Sequence, residues 1–165
     1  MCLGTGRKIV FIACGQVTEQ ERALGRKLAQ LVEELTPFEG YFAQNQSTLE
    51  GLTENILHAL NRCVALIIVM HPRGSVTGLN GSKHTRASLW IDQEIAIAAF
   101  LTQVLHRRLK VAAYVHKDIR REGMRDELQL NPVSFDREDQ ILSHLPALLL
   151  KWAEAERPQH RTAGV

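Results

Sequence analysis

An acidic residue and an aromatic residue lie one helical turn apart in a segment that is otherwise apolar. Trp90 and Glu94 belong to the run Ser-Leu-Trp-Ile-Asp-Gln-Glu-Ile-Ala-Ile-Ala-Ala-Phe at 88–100. Positions i and i+4 of an α-helix share a face, so these side chains meet. An indole beside a carboxylate suits a planar heterocycle held next to a group that stabilises developing positive charge. Alternatively, Trp90 is a core residue and Glu94 a solvated edge residue.

A long polar loop leads into this helix. The loop covers 71–87, whereas connections in α/β units usually take about 2–6 residues. It leaves the carboxyl end of a predicted central strand, where open α/β sheets place their ligands. Its Arg73, Lys83 and Arg86 are therefore candidate phosphate contacts. A basic loop rich in Gly and Ser is also commonly disordered, so both interpretations stay open.

Alternating strand and helix patterns predict the scaffold that positions these residues. Continuous apolar runs, typical of strands buried on both faces, and shorter β-rich segments predict strands near 8–14, 40–43, 64–70, 109–116 and 130–135. Pro132 restricts the fifth strand to the sheet edge. The alternation predicts a parallel sheet with helices on both faces, a flavodoxin-like three-layer α/β/α domain.

The helix boundaries follow from capping patterns and breakers. Capping boxes at Thr18–Glu21 and Ser47–Glu50 begin the first two helices, and Pro37 ends the first. A short helix is predicted between Asp118 and Glu127. A last helix runs from about Asp136 to Trp152.

Composition excludes several functional classes. The 165 residues fit one domain, and 45% hydrophobic with 23% charged residues is typical of a soluble globular protein. The formal net charge of +2 does not indicate a nucleic-acid surface, and no run approaches the roughly 18 apolar residues of a membrane span. Three cysteines, Cys2, Cys14 and Cys63, have no C-x-x-C spacing, so they indicate neither zinc nor a disulfide framework. We therefore expect a cytoplasmic protein.

The order of elements and one short motif resemble the Toll/interleukin-1 receptor (TIR) domain family in its bacterial form. The resemblance rests on Ile9-Val-Phe-Ile12 in the first strand, Leu66-Ile-Ile-Val-Met70 in the third, and Ser88-Leu-Trp-Ile-Asp-Gln-Glu94 opening the helix that follows. The S-x-W-x-x-x-E pattern is its most specific part and looks like the segment that carries the catalytic glutamate in TIR domains that cleave NAD. The resemblance implies a TIR-like domain over 1–153. The segment 154–165 is polar and contains Pro158, so we expect it to be a flexible tail.

The resemblance also implies roles for individual residues. Glu94 corresponds to the catalytic glutamate, and Trp90 to the aromatic residue that precedes it in the motif. The other substrate-binding residues that the resemblance implies are Ala13, Cys14, Gly15, Phe42, Gln44, Asn45 and Ser88. The expected reaction cleaves the nicotinamide–ribose bond of NAD to give nicotinamide and ADP-ribose or a cyclic derivative. NAD is the substrate here, and no metal or other cofactor is expected.

The resemblance implies partners as well as chemistry. Bacterial relatives are commonly antiphage immune effectors, so we expect a sensor or activator protein and self-association through TIR–TIR contacts. Two alternatives remain. A nucleoside 2-deoxyribosyltransferase-like enzyme shares the flavodoxin-like layout and a helical glutamate followed by small residues, as in Glu94-Ile-Ala-Ile-Ala98. A non-enzymatic TIR adaptor would only self-associate or recruit partners.

Overall fold

A computed structural model describes residues 7–43, 49–120 and 131–156. These residues form seven strands and four helices, in the order β1 (Ile9–Cys14), α1 (Glu19–Leu35), β2 (Glu39–Phe42), α2 (Leu49–Arg62), β3 (Cys63–Met70), β4 (Gly74–Thr77), β5 (Lys83–Arg86), α3 (Leu89–Gln103), β6 (Lys110–His116), β7 (Val133–Phe135) and α4 (Glu138–Glu156).

Five of the strands form one parallel sheet in the order β2-β1-β3-β6-β7. The predicted parallel sheet is confirmed, with each strand close to its predicted position. The chain turns from β1 towards one edge and from β3 towards the other, so the strand order reverses between β1 and β3. Sheets wound in this way bind ligands at such a switch point, beyond the carboxyl ends of the strands.

Apolar side chains cover both faces of the sheet. Because side chains alternate along a strand, Val10 and Ile12 face α1 and α4, whereas Phe11 faces α2 and α3. Helix α1 begins with the predicted capping box: the Thr18 hydroxyl accepts from Glu21 N–H at 3.2 Å, and the Glu21 carboxylate accepts from Thr18 N–H at 3.3 Å. The three-layer α/β/α arrangement is therefore confirmed.

The predicted loop over 71–87 is not a plain loop. Strands β4 and β5 form an antiparallel hairpin within it, with Gly74 paired to Arg86 and Thr77 to Lys83. Gly81 takes a positive φ of 78° in the turn, and Gly78 N–H donates to Ser82 O at 2.7 Å. The Asn80-Gly81 pair is a common hairpin signal, so the sequence contained this feature.

The last part of the fold differs slightly from the prediction. Strand β7 begins at Val133, directly after Pro132, and pairs with β6 at the sheet edge. Helix α4 continues to Glu156, past its predicted end at Trp152, and Lys8 and Lys110 both form ion pairs with Glu156. The helix predicted within 118–127 and the second capping box lie largely outside the described residues. Within the described ranges no helix is long and apolar enough to span a membrane.

Candidate active site

A cavity of about 420 Å³ opens at the carboxyl ends of β1 and β3, beside the start of α3. Its size lies within the roughly 300–1,000 Å³ of typical small-ligand sites. The lining residues come from the turn after β1, from α1, α2 and α3, and from the chain after β3: Cys14, Gly15, Gln16, Val17, Arg22, Ile56, Arg73, Ser88, Trp90, Ile91 and Glu94. The cavity therefore occupies the switch point of the sheet.

Glu94 is the acidic residue on the wall of this cavity. Its helix neighbours Ile91 and Ile95 are buried against the sheet, which holds the Glu94 side chain at the inner edge of the helix. Burial raises the pKa of Glu94 to about 8, from an ordinary value near 4.5. A carboxyl group with this pKa changes charge close to neutral pH, as acids and bases in active sites often do.

Trp90 lies one turn before Glu94 on α3, as the spacing predicted. Its side chain is 56% exposed and lines the cavity, so it is not a core residue. Ser88 is at the N-cap of α3, and within the described residues its hydroxyl makes no capping hydrogen bond. Ser88 also lines the cavity. The exposed indole of Trp90, the Ser88 hydroxyl and the partly buried carboxyl group of Glu94 therefore all line the same cavity.

An ion pair between Arg73, which follows β3, and Glu21 of α1 lies beside the turn after β1, with side chains 20% and 6% exposed. The Arg73 guanidinium donates two hydrogen bonds to the Glu21 carboxylate, Nη1 to Oε1 at 2.5 Å and Nη2 to Oε2 at 2.6 Å. Burial raises the pKa of Glu21, but the hydrogen bonds and charge of Arg73 outweigh this effect, and the net shift is downward. Arg73, a predicted phosphate contact, therefore lines the cavity, but its positive charge is already paired with the Glu21 carboxylate.

Gly15 makes this ion pair possible. A Cβ atom built on Gly15 would lie 2.1 Å from Arg73 Nη2 and 2.7 Å from Glu21 Oε2.

Cys14 directly precedes Gly15 in the chain, and its thiol is buried. Burial, and to a smaller extent the charge of Glu21, raises the pKa of this thiol to about 12. This thiol is neutral at physiological pH, so Cys14 contributes shape to the cavity rather than a nucleophile.

Arg22 provides a second guanidinium on the cavity wall. Its Nη1 donates to the carbonyl oxygens of Gln16 at 2.8 Å and Val17 at 3.2 Å, which fixes the turn after β1. The Gln16 side chain in turn donates to Ala43 O and ties this turn to the end of β2. Sequence analysis did not single out Arg22, because its position in the first turn of an amphipathic helix looks like an ordinary solvated one.

Several predicted site residues do not reach the cavity. Phe42 faces α1, where its ring covers Gly25 so closely that a Cβ there would lie 2.3 Å from Cζ. Ala13 is 1% exposed and packs in the core under α2 and α3. Side chains alternate along a strand, so Phe42 points to the α1 face of the sheet and Ala13 points into the core under α2 and α3. Lys83 and Arg86 lie on β5 and do not line the cavity.

Two further predictions cannot be placed. Gln44 and Asn45 lie outside the described residues.

Metal binding gains no support from side-chain clustering: in 7–43, 49–120 and 131–156, no group of three or more His, Cys, Asp or Glu side chains could hold an ion.

A second, more open cleft of about 480 Å³ lies on the other side of the Glu21–Arg73 pair. Its lining includes His71, whose Nε2 is 3.1 Å from Glu138 Oε1, and the ring of Phe135. Burial lowers the pKa of His71. The ion pair thus separates the cavity that contains Glu94 from a histidine-lined cleft.

No protein-family model matches the sequence, and no curated protein matches it at a significant level. Among solved structures, the fold is similar to that of the CMP N-glycosidase BcmB from Clostridium botulinum, with a TM-score of 0.58. The two sequences are 18% identical, and the match covers 85% of this chain and 99% of that chain. The likeness shows that the chain shares the three-layer α/β fold of this enzyme.

Proposed function

We propose that the protein cleaves the N-glycosidic bond of a nucleotide and that Glu94 is the catalytic residue. The observation that carries the proposal is the position of Glu94, a partly buried carboxyl group on a cavity at the switch point of the sheet. Trp90 offers a face on which a base can stack one helical turn away.

The proposed chemistry uses the negative charge of Glu94. When the bond between ribose C1′ and the base nitrogen breaks, the bonding electrons leave with the base and positive charge spreads over C1′ and the ring oxygen. A carboxylate held beside this charge lowers the energy of the transition state. Water then bonds to C1′ and passes a proton to Glu94. A cationic base such as nicotinamide leaves without needing a second acid.

The opposite wall of the cavity suits the phosphate of a nucleotide. Arg22 and Arg73 bring two guanidinium groups to the turn after β1, and guanidinium groups bind phosphate oxygens well. Arg73 is paired with Glu21, and Arg22 Nε donates to Glu19 Oε2 at 2.9 Å. Arg26 also pairs with Glu19, so two guanidinium groups share one carboxylate and the start of α1 keeps a net positive charge. A nucleotide would then lie with its base by Trp90, its ribose at Glu94 and its phosphate towards α1.

Two substrates have specific support. The S-x-W-x-x-x-E motif resembles that of TIR domains that cleave NAD, and it favours NAD as the substrate. The fold likeness to an enzyme named CMP N-glycosidase favours a nucleoside monophosphate. Both reactions leave positive charge at ribose C1′, which Glu94 would stabilise in each. The leaving groups differ: nicotinamide leaves as a neutral base, whereas cytosine must gain a proton, which the water that bonds to C1′ releases by way of Glu94.

The test is release of free base from NAD and, separately, from CMP by the purified protein, followed by liquid chromatography. We expect release from at least one substrate, and a rate lower by about 10²-fold or more in Glu94→Gln. Glu154→Gln is the matched control, because Glu154 is exposed on α4. Equal rates in wild type and Glu94→Gln, or no release from either nucleotide, would overturn the proposal.

The same assay separates hydrolysis from transfer. Adding an isotopically labelled free base to a deoxynucleoside tests base exchange, which a deoxyribosyltransferase-like enzyme would catalyse. If label enters the nucleoside while the nucleotides are not hydrolysed, the protein is a transferase. We expect hydrolysis without exchange.

A further inference from the structure

Gln16 carries an amide side chain on the wall of the Glu94 cavity. It lies in the turn after β1, is partly buried, and lines the cavity together with Trp90 and Glu94. Among the lining residues in the described ranges, it is the only amide. An amide presents a donor and an acceptor side by side in one plane, which matches the edge of a planar base.

Two hydrogen bonds fix Gln16 in place. Arg22 Nη1 donates to the backbone carbonyl oxygen of Gln16 at 2.8 Å. The Gln16 side chain donates from Nε2 to the carbonyl oxygen of Ala43, a residue that is buried at the end of β2. A main-chain carbonyl oxygen can only accept, so the amide must turn its nitrogen towards Ala43. The reversed amide would place two oxygen atoms face to face, which makes this orientation the stable one.

The fixed amide is the group on this wall that can distinguish one base from another. In the proposed binding mode Trp90 contacts the face of the base, which leaves its edge for a hydrogen-bonding group. The guanidinium groups of Arg22 and Arg73 can only donate, and the Ser88 hydroxyl can rotate to donate or to accept. Because Nε2 of Gln16 is held by Ala43, its Oε1 remains as an acceptor with a set position.

We infer that Gln16 is a specificity-determining residue: its Oε1 accepts a hydrogen bond from an exocyclic N–H of the base, so the site prefers bases that carry this donor. The inference rests on the proposed function, because it names the class of base in the nucleotide. Cytosine has an amino group and nicotinamide a carboxamide, whereas uracil has a carbonyl oxygen and nicotinic acid a carboxylate at the same position. These oxygen atoms would face Oε1 without a proton between them.

The test is the binding of two matched pairs of nucleotides, CMP against UMP and NAD against nicotinic acid adenine dinucleotide, by isothermal titration calorimetry. The protein carries Glu94→Gln, which suppresses turnover and removes a negative charge that would repel nicotinic acid. In each pair that binds, we expect the nucleotide with the N–H donor to bind about 10-fold to 100-fold more tightly, because a hydrogen bond left unmade in such a site is costly. Equal affinity within a pair, tighter binding of its oxygen-bearing member, or no binding of any of the four would overturn the inference.

The variant Gln16→Met in the same background separates base recognition from a purely structural role. Methionine keeps an unbranched chain but has no amide, so the selectivity within a pair should be lost. If Gln16 only ties the turn to β2, both members lose affinity equally and their ratio stays unchanged, which would also overturn the inference. Gln30→Met is the matched control and should leave the ratio unchanged, because Gln30 is exposed on α1, where it donates to Glu34 Oε1 at 2.6 Å.

The binding measurements are independent of the chemistry, so the two proposals can fail separately. Selective binding that depends on Gln16, without base release by wild type, would overturn only the proposed function. Base release by wild type at equal affinity for both members of a pair would overturn only the role of Gln16.

Discussion

Arg73 and Glu21 are joined by two parallel hydrogen bonds that connect the end of β3 to the first turn of α1. The bonds measure 2.5 and 2.6 Å, and the Glu21 side chain is only 6% exposed. Glu21 also accepts from Val17 N–H at 2.9 Å, so one carboxylate caps α1 and holds Arg73. The pair therefore fixes the distance between two walls of the Glu94 cavity.

We predict that removing either partner of this pair strongly destabilises the fold. Arg73→Met leaves the Glu21 charge buried without its cation, and Glu21→Gln leaves Arg73 without its anion. Each change should lower the free energy of unfolding by about 3–5 kcal/mol. The measurement is urea denaturation at pH 7.

The double variant Glu21→Gln/Arg73→Met should cost less than the sum of the two single changes, since it leaves no unpaired charge. Additive effects would contradict a coupled pair. Asp139→Asn serves as the control, because its partner Arg137 is 75% exposed at the side chain and exposed pairs contribute about 0–1 kcal/mol.

A methyl group on Gly15 should disturb the same pair by steric conflict. Gly15→Ala places a carbon where Arg73 and Glu21 now lie, so the guanidinium must shift or the turn must move. We expect a loss of about 1–3 kcal/mol in unfolding free energy, as for other overpacked sites, together with lower turnover. Gly74→Ala is the control, because a Cβ at Gly74 would meet no atom within 4 Å. Equal stability of the two variants would show that the turn can adapt.

The fold was predictable from sequence because its strongest signals are local. The run Val64–Met70 is apolar on both faces, and Thr18 and Glu21 form a capping box, so strand and helix types follow from short segments. The β4–β5 hairpin was missed because its strands are polar and only four residues long. Such strands carry little hydrophobic periodicity, and only the Asn80-Gly81 turn marks them.

The candidate site was predictable only in part. Trp90 and Glu94 lie on one helix, so their proximity follows from helical spacing. Arg22 and Glu94 are far apart in sequence, and their meeting at one cavity depends on how α1 and α3 pack on the sheet. A one-residue difference in strand register decides whether Phe42 faces α1 or the opposite side of the sheet. Sequence alone did not determine that register.

Glu94 should make the stability of the protein depend on pH in an unusual direction. Its pKa is about 8 in the folded protein and near 4.5 when unfolded, so between these values the folded state binds the proton more tightly. Stability should therefore fall as the pH rises from about 5 to above 8. Glu94→Gln removes this dependence, so the variant should gain stability relative to wild type as the pH rises. Urea midpoints from pH 5 to 9 test this, and parallel curves for the two proteins would contradict it.

Catalysis should respond to the same titration with the opposite sign. The proposed role needs the carboxylate, so kcat/KM should rise with pH through a midpoint near 8, the pKa of Glu94 in the free protein. Initial rates of base release, measured across pH at low substrate concentration, give this profile. A profile that falls with pH over the same range would indicate that Glu94 acts as a proton donor instead.

Trp90 should contribute to substrate binding without contributing to stability. Its side chain is 56% exposed, so Trp90→Ala removes a stacking surface and little core packing. Stacking of a base on an aromatic ring contributes about 1–3 kcal/mol, which corresponds to a rise in KM of roughly 5-fold to 150-fold. Trp90→Phe should recover part of the loss because it keeps a ring. Phe100→Ala is the control, since Phe100 is 52% exposed on the same helix and does not line the cavity. An equal change in KM for Trp90→Ala and Phe100→Ala would show that the base does not stack on Trp90.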